Sequence, residues 1–238
     1  MIHATDSKGT FYILNKKDRT PIIFIHGVGL DHSIWDPQIN EFDNTVLIYD
    51  ILGHGKTPLN KNDLSFDDFS NQILNLMDEL KFNKVHLVGF SIGSLIARNF
   101  ATRFNDRLAS LTLLCSIFNR SDKEQKIVND RFEQTKKDHK LTKDALKRWF
   151  TEDFLNKNPG ISDKIFNILQ NNNMNNFIKI YSLFVKHQDN EKFENIKTKT
   201  LVITGEGDVG STPEMSINLG KKIKNSVVKI IPKGKHLC

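Results

Sequence analysis

Six short apolar runs, most of them closed by a glycine turn, constrain this chain more than any other feature. They are "TPIIFIHG", "NTVLIYDILGHG", "KVHLVGF", "LASLTLLCS", "TLVITGEGD" and "SVVKIIP". Runs of this length, rich in β-branched residues and bounded by turns, read as strands buried on both faces. Between several of them the period changes to three and four. Ser65 precedes Phe66, Phe69, Ile73, Leu76, Met77 and Leu80, and "IGSLIARNFATRF" follows the third run. These spacings predict helices. Strands buried on both sides and alternating with helices predict an α/β domain with a mostly parallel sheet covered on two faces. Thr10–Leu14 reads as one early antiparallel strand, and Pro213 to Lys224 as the last helix.

From Phe118 to about Asn195 the texture is different. The chain becomes Lys/Asn-rich and loses its strand-like runs. Helical spacings remain: Ala145, Trp149, Phe150; Ile161, Ile165, Ile168, Leu169; Phe177, Ile178, Tyr181, Leu183, Phe184, Val185. Pro159-Gly160 breaks the pattern once. The expected organisation is a core domain from residues 1–117 and 196–238, with 118–195 inserted as a cap of about four helices. The biased patch "QNNNMNN" at 170–176 fits a helix end or loop.

The bulk numbers narrow the partners. A chain of 238 residues suffices for one large α/β domain. Net charge is +6, but lysines are spread along the whole length with no basic block interleaved with aromatics. That is a solvated surface rather than a nucleic-acid groove. The two cysteines, Cys115 and Cys238, make no disulfide framework, and the N-terminus lacks a signal-peptide pattern. No run approaches the about 18 apolar residues needed to span a bilayer. A cytoplasmic protein without a membrane partner is expected. No group of His, Cys and carboxylates has metal-ligand spacing, so no metal site is expected.

In open α/β sheets ligands bind beyond the carboxyl ends of the strands. The strand ends carry His26-Gly27-Val28-Gly29, Asp50 with Gly53-His54-Gly55, Gly89-Phe90-Ser91-Ile92-Gly93, Gly205-Glu206-Gly207-Asp208, and Gly234-Lys235-His236. A serine, a carboxylate and a histidine thus share one edge, in that order. Ser91 sits where a strand turns sharply into a helix. Glycines two residues before and after permit the close approach that such a turn requires. The site is a helix N-terminus, which favours an anion. A serine hydroxyl needs a base to become a nucleophile, and His236 can take its proton while an acid fixes the imidazole tautomer. "GEGD" offers both Glu206 and Asp208 for that acid. His26 and His54, set in glycine turns, are expected to stiffen their loops.

Over nearly its whole length the chain resembles the α/β-hydrolase superfamily. The resemblance is carried by "IIFIHGVGLDHSIWDPQI", "VLIYDILGHGKTP", "VHLVGFSIGSLIA", "LVITGEGDVGSTPEMS" and "IIPKGKHL". Within it, "GLDHSIWDPQ", "SIFNRS", "RWFTEDF" and "GEGDVGSTPEMS" are most similar to the 3-oxoadipate enol-lactonase and carboxylesterase branch. The resemblance implies Ser91 as nucleophile, Asp208 rather than Glu206 as acid, and His236 as base. It implies an oxyanion hole from the backbone N–H groups of Val28 and Ile92. It implies hydrolysis of an ester or lactone through an acyl-enzyme without cofactor, with 3-oxoadipate enol-lactone the leading substrate. A general carboxylesterase, a C–C bond hydrolase and a non-catalytic scaffold are the alternatives. Trp35, just after the oxyanion loop, is expected to wall the pocket. Arg148 and Trp149 are expected to meet a substrate carboxylate and ring. Resembling chains continue past the histidine into a final helix, whereas this sequence stops at "HLC". One sheet face is therefore expected to be less covered, and a chain extended by an amphipathic helix to be more stable.

Overall fold

The computed structural model describes residues 1–237; Cys238 lies outside the described residues. Eight strands form one sheet: β1 (Ile2–Thr5), β2 (Phe11–Asn15), β3 (Arg19–Ile25), β4 (Asn44–Tyr49), β5 (Val85–Phe90), β6 (Leu108–Leu114), β7 (Thr200–Gly205) and β8 (Ser226–Ile231). Their order is β1-β2-β4-β3-β5-β6-β7-β8. β1 and β2 run antiparallel to each other, and β2 runs antiparallel to β4. All other neighbours are parallel. The early strand expected at Thr10–Leu14 is β2. β1 was not expected. Its "IHAT" has no strand-like apolar run and is mostly exposed, and it is ordered by pairing with β2.

The helices α1 (Phe66–Glu79), α2 (Ile92–Arg103) and α8 (Pro213–Lys222) belong to the sheet domain. Each starts where its sequence can satisfy free backbone N–H groups. Ser65 and Asp68 form a reciprocal capping box for α1. Thr212 caps α8, with Pro213 in its first turn. The apolar stripe of α1 buries Phe69, Ile73, Leu76 and Met77. They pack with Leu95, Ile96 and Phe100 of α2 and with Ile23, Leu47 and Leu87 of the sheet. A second apolar layer joins Phe11, Ile22, Phe24 and Val46 to Trp35 and to Leu146, Phe150 and Ile165. β8 forms an edge, and Val227 on it is exposed.

Between β6 and β7 the chain inserts five helices: α3 (Asp122–Asp138), α4 (Asp144–Trp149), α5 (Glu152–Lys157), α6 (Pro159–Gln170) and α7 (Met174–Val185). The expected count was about four. The extra one arises because α4 and α5 are only six residues each and too short to show a period. Among the described residues no helix is long and apolar enough to cross a membrane.

Arg98 of α2 ties the insertion to the sheet domain. It is fully buried. It donates to the Ile117 carbonyl (2.8 Å) just before the insertion and ion-pairs Asp189 (2.6 Å) and Glu191 (2.7 Å) near its end.

Candidate active site

β5 ends at Phe90 and α2 begins at Ile92, leaving Ser91 alone to make the turn. Its backbone sits at φ 56°, ψ −118°, a strained conformation for a residue with a side chain. Crowding enforces it. A Cβ on Gly89 would lie 2.2 Å from the Gly93 oxygen, and one on Gly93 would lie 2.6 Å from the Ile25 oxygen. Both obstacles are backbone, so neither can yield. The Ser91 N–H donates to the Leu114 carbonyl at 2.9 Å. Ser94, fully buried, donates its hydroxyl to the Ser91 carbonyl at 2.5 Å.

His236 brings its Nε2 to 3.2 Å from the Ser91 hydroxyl, and its Nδ1 lies 2.7 Å from Asp208 Oδ2. With Nδ1–H donating to the carboxylate, Nε2 is the acceptor for the serine proton. Asp208 Oδ1 in turn accepts from the N–H groups of Gly210 (2.8 Å) and Ser211 (3.0 Å). Burial works to raise the Asp208 pKa. The His236 charge and hydrogen bond and the two backbone donors outweigh it, so the carboxyl is held below its ordinary range. Glu206 turns elsewhere: its Oε2 accepts from the Lys233 N–H at 3.0 Å.

The segment bearing His236 is pinned on several sides. Gly207 donates to the Gly234 carbonyl (2.8 Å) and Leu237 to the Trp149 carbonyl (2.9 Å). Lys235 Nζ reaches the Lys147 carbonyl at 2.9 Å. The inserted helix α4 therefore helps to hold the imidazole, with the Trp149 ring 6.2 Å from that of His236.

The loop after β3 is set by two buried, neutral histidines. His54 Nε2 accepts from the Gly29 N–H (2.9 Å) and His26 Nε2 from the Ile51 N–H (3.1 Å). Each can accept only while that nitrogen is unprotonated, so Nδ1 carries the hydrogen. It points to the Leu52 carbonyl for His54 and to the Gly27 carbonyl for His26. Burial first, and the neighbouring His26 second, push the His54 pKa down to about 3. Asp50, at the end of β4, receives the His32 N–H and ring (both 2.8 Å) and the Lys56 N–H (2.8 Å). Its carboxylate is thus engaged in holding this loop.

A cavity of about 380 Å³ opens over Ser91, bordered by Val28, Asp208, His236, Arg148 and Trp149. Its size falls at the lower end of small-molecule pockets. Ile92 contributes position rather than lining: its side chain is fully buried, and its residue opens α2 directly after the serine. Trp35 is placed differently from the expectation. It does not border this cavity. The 3-10 turn His32–Trp35, capped by Asp31, lays the indole against Phe24 at 4.8 Å in the second apolar layer. Lys164 of α6 bonds Ser33 and Asp36 over it. Arg120, Arg131 and Tyr181 also line the cavity and were not singled out from sequence. One signal was available: only seven of the 34 basic residues are arginine, and three of these lie in the insertion.

Two groups place His, Cys or carboxylate ligand atoms within 4.8 Å of one another: Cys115, Asp208 and His236, and His187, Asp189 and Glu191. In the first, a metal would take the nitrogen and oxygen that now share the proton between Asp208 and His236. In the second, the Arg98 guanidinium already pairs both carboxylates, and its charge opposes a cation.

Comparison with known proteins agrees with this architecture. The profile of the α/β hydrolase fold family matches residues 20–238. The chain is 27% identical over 232 residues to an (E)-2-((N-methylformamido)methylene)succinate hydrolase of Acinetobacter baylyi, covering 96% of this chain and 88% of that one. It is 26% identical to 3-oxoadipate enol-lactonase 1 of the same organism, covering 89% and 80%. Among solved structures, the enol-lactonase of Burkholderia xenovorans superposes with a TM-score of 0.84 at 24% identity, over 99% of this chain and 93% of that one. A hydrolase from Pseudomonas aeruginosa gives 0.87 at 19% identity, covering 99% and 91%. By sequence profile and by fold, this chain belongs to the α/β hydrolase fold family.

Proposed function

We propose that this protein is a serine hydrolase acting on a small carboxylic ester or lactone. The observation that supports this most is the chain of contacts from Ser91 through His236 to Asp208, set at a strained turn under a cavity. Ser91 Oγ attacks the substrate carbonyl carbon as its proton passes to His236 Nε2. The oxyanion is held by the N–H groups of Val28 and Ile92. The carbon–oxygen bond then breaks, and His236 returns the proton to the leaving oxygen. A water activated by the same nitrogen cleaves the acyl-enzyme and regenerates Ser91. Asp208 keeps the imidazole in the required tautomer. Residues 118–195 act as the cap that shapes the pocket.

The sequence resemblance and the enol-lactonase relatives make 3-oxoadipate enol-lactone the first substrate to assay. Opening its ring releases an enol that tautomerises to the ketone unaided, and Arg148, which borders the cavity, is the group proposed to meet its carboxylate. A fluorophosphonate probe should label the wild-type chain and not Ser91→Ala. A folded wild-type chain that stays unlabelled overturns the hydrolase reading. Faster turnover of p-nitrophenyl acetate than of the enol-lactone overturns the lactone reading alone.

A further inference from the structure

The arginines of this chain divide into two groups. Four belong to the sheet domain, and each reaches a carboxylate: Arg19 with Asp43, Arg98 with Asp189, Arg103 with Asp67, and Arg107 with Asp78. The other three, Arg120, Arg131 and Arg148, lie in the insertion and all border the cavity over Ser91. Among the described residues, none of these three has a carboxylate oxygen within 4.0 Å.

Their surroundings are built for a ligand rather than for each other. The Arg120 guanidinium stacks on the Phe184 ring at 4.5 Å, and its Nη1 donates to the Phe184 (3.1 Å) and Val185 (3.2 Å) carbonyls. Among the described residues its buried Nη2 has no hydrogen-bond partner. Burial raises the Tyr181 pKa, and the charges of Arg131, Arg148 and Arg120 act against it. Tyr181 and Val185 are one turn apart on α7, so the phenol and the point where Arg120 attaches lie about 6 Å apart along one wall. Burial first, and repulsion from Arg131 among the charges, weaken the hold of Arg120 and Arg148 on their protons; Arg120 is brought to about 10. Glu124 and Asp189 act against this at Arg120, and Asp144 at Arg148, without outweighing it. Glu124 is folded back onto Ser121 (2.7 Å), and Asp138 is held by Gln134 (2.7 Å). Asp144 is exposed at the rim and pairs Lys147 at 4.0 Å. Three half-buried like charges raise the free energy of the empty site, a cost that an anionic ligand offsets. Guanidinium forks match carboxylates two bonds at a time.

We propose that the cavity takes an acyl substrate with two free carboxylates, one held by Arg120 and Arg131 against the α7 wall and the other by Arg148. The inference rests on the hydrolase reading and narrows it. A lactone with one carboxylate leaves part of this charge unanswered. A substrate with two answers all of it beside the scissile carbonyl.

The test is binding, measured by calorimetry on full-length Ser91→Ala so that no turnover intervenes, with adipate and hexanoate as probes. Adipate is expected to bind at least tenfold more tightly than hexanoate. Arg120→Gln and Arg131→Gln, each added to that chain, are expected to remove this preference while hexanoate changes less than threefold. If a glutamine variant does not fold, the lysine variant at the same position retains the charge and loses the fork. It is expected to bind adipate several-fold more weakly than Ser91→Ala alone. Equal binding of the two probes, or adipate binding unmoved by these substitutions, overturns the proposal. So does tighter binding of inorganic phosphate than of adipate. The labelling experiment separates the two readings. A labelled wild-type chain without the adipate preference loses only the second carboxylate. An unlabelled one loses the acyl substrate altogether.

Discussion

Replacing His54 by glutamine isolates the contribution of one buried ring to the acid sensitivity of the oxyanion loop. In the native chain His54 Nε2 accepts the Gly29 N–H at 2.9 Å, and a proton there would set two donors against each other. The native pKa is about 3. The unfolded chain takes up the same proton near the ordinary value of about 6.5. A native pKa below the unfolded one means that stability is intact above about 6.5. It is lost as pH falls through the window between the two values. Integrated from pH 7 to pH 5, the linkage amounts to about 2 kcal/mol, with a limiting slope of about 1.4 kcal/mol per pH unit. Glutamine keeps an acceptor for Gly29 and does not titrate. Urea unfolding at pH 7, 6 and 5 gives the stability of both chains, provided the slopes match. Whatever its offset at pH 7, the variant should gain about 2 kcal/mol on the wild type by pH 5. Histidines other than His26, which interacts with His54, contribute equally to both chains and cancel. A difference between the chains that stays constant across this range refutes the reasoning.

Three further outcomes are expected. Asp208→Asn still accepts from Gly210 and Ser211 but presents the wrong partner to His236. Its turnover should fall by about 10⁴ with little change in melting temperature, and a fall below tenfold would deny Asp208 its role. Gly93→Ala drives a methyl into the Ile25 and His26 oxygens and should cost at least about 1–3 kcal/mol in urea unfolding, together with fluorophosphonate labelling. An unchanged melt would mean that the turn is not crowded. Arg98→Met strands Asp189 and Glu191 and should cost about 3–5 kcal/mol. Burial opposes protonation of His187, but Asp189 and Glu191 outweigh it and raise its pKa. Its contribution is therefore full below about pH 6.5 and fades as pH rises through the native value. Stability measured at pH 6 and pH 8 should accordingly show a larger Arg98→Met deficit at pH 8, and the reverse order would contradict this account.

Where the sequence speaks clearly, the controlling interactions are local. The strand from Val85 to Phe90, Ser91 and the helix from Ile92 follow from a β-branched run, a helical period and two glycines at fixed offsets. Crowding between residues four apart permits little else. The same holds for α1, whose capping residues and apolar stripe lie within one segment. β1 was invisible because its order comes from a partner strand rather than from its own residues. The short helices α4 and α5 fell below the length at which a period can be read.

By itself the sequence determined the alternation of strands and helices, and hence which residues stand at the strand ends. It brought Ser91, Asp208 and His236 to one edge because every parallel strand in such a sheet ends on the same side. Only the tertiary structure decided which way the side chains beyond that edge turn. The turn at His32–Trp35 rolls the indole into an apolar layer and out of the pocket. The packing of α3 on α7 and the position of α4 bring Arg131 and Arg148, with Arg120 just before α3, to one cavity, although the chain separates them by up to 28 positions. No local period encodes that convergence. It depends on how packed helices rotate about their axes, and burial of their apolar faces sets that rotation.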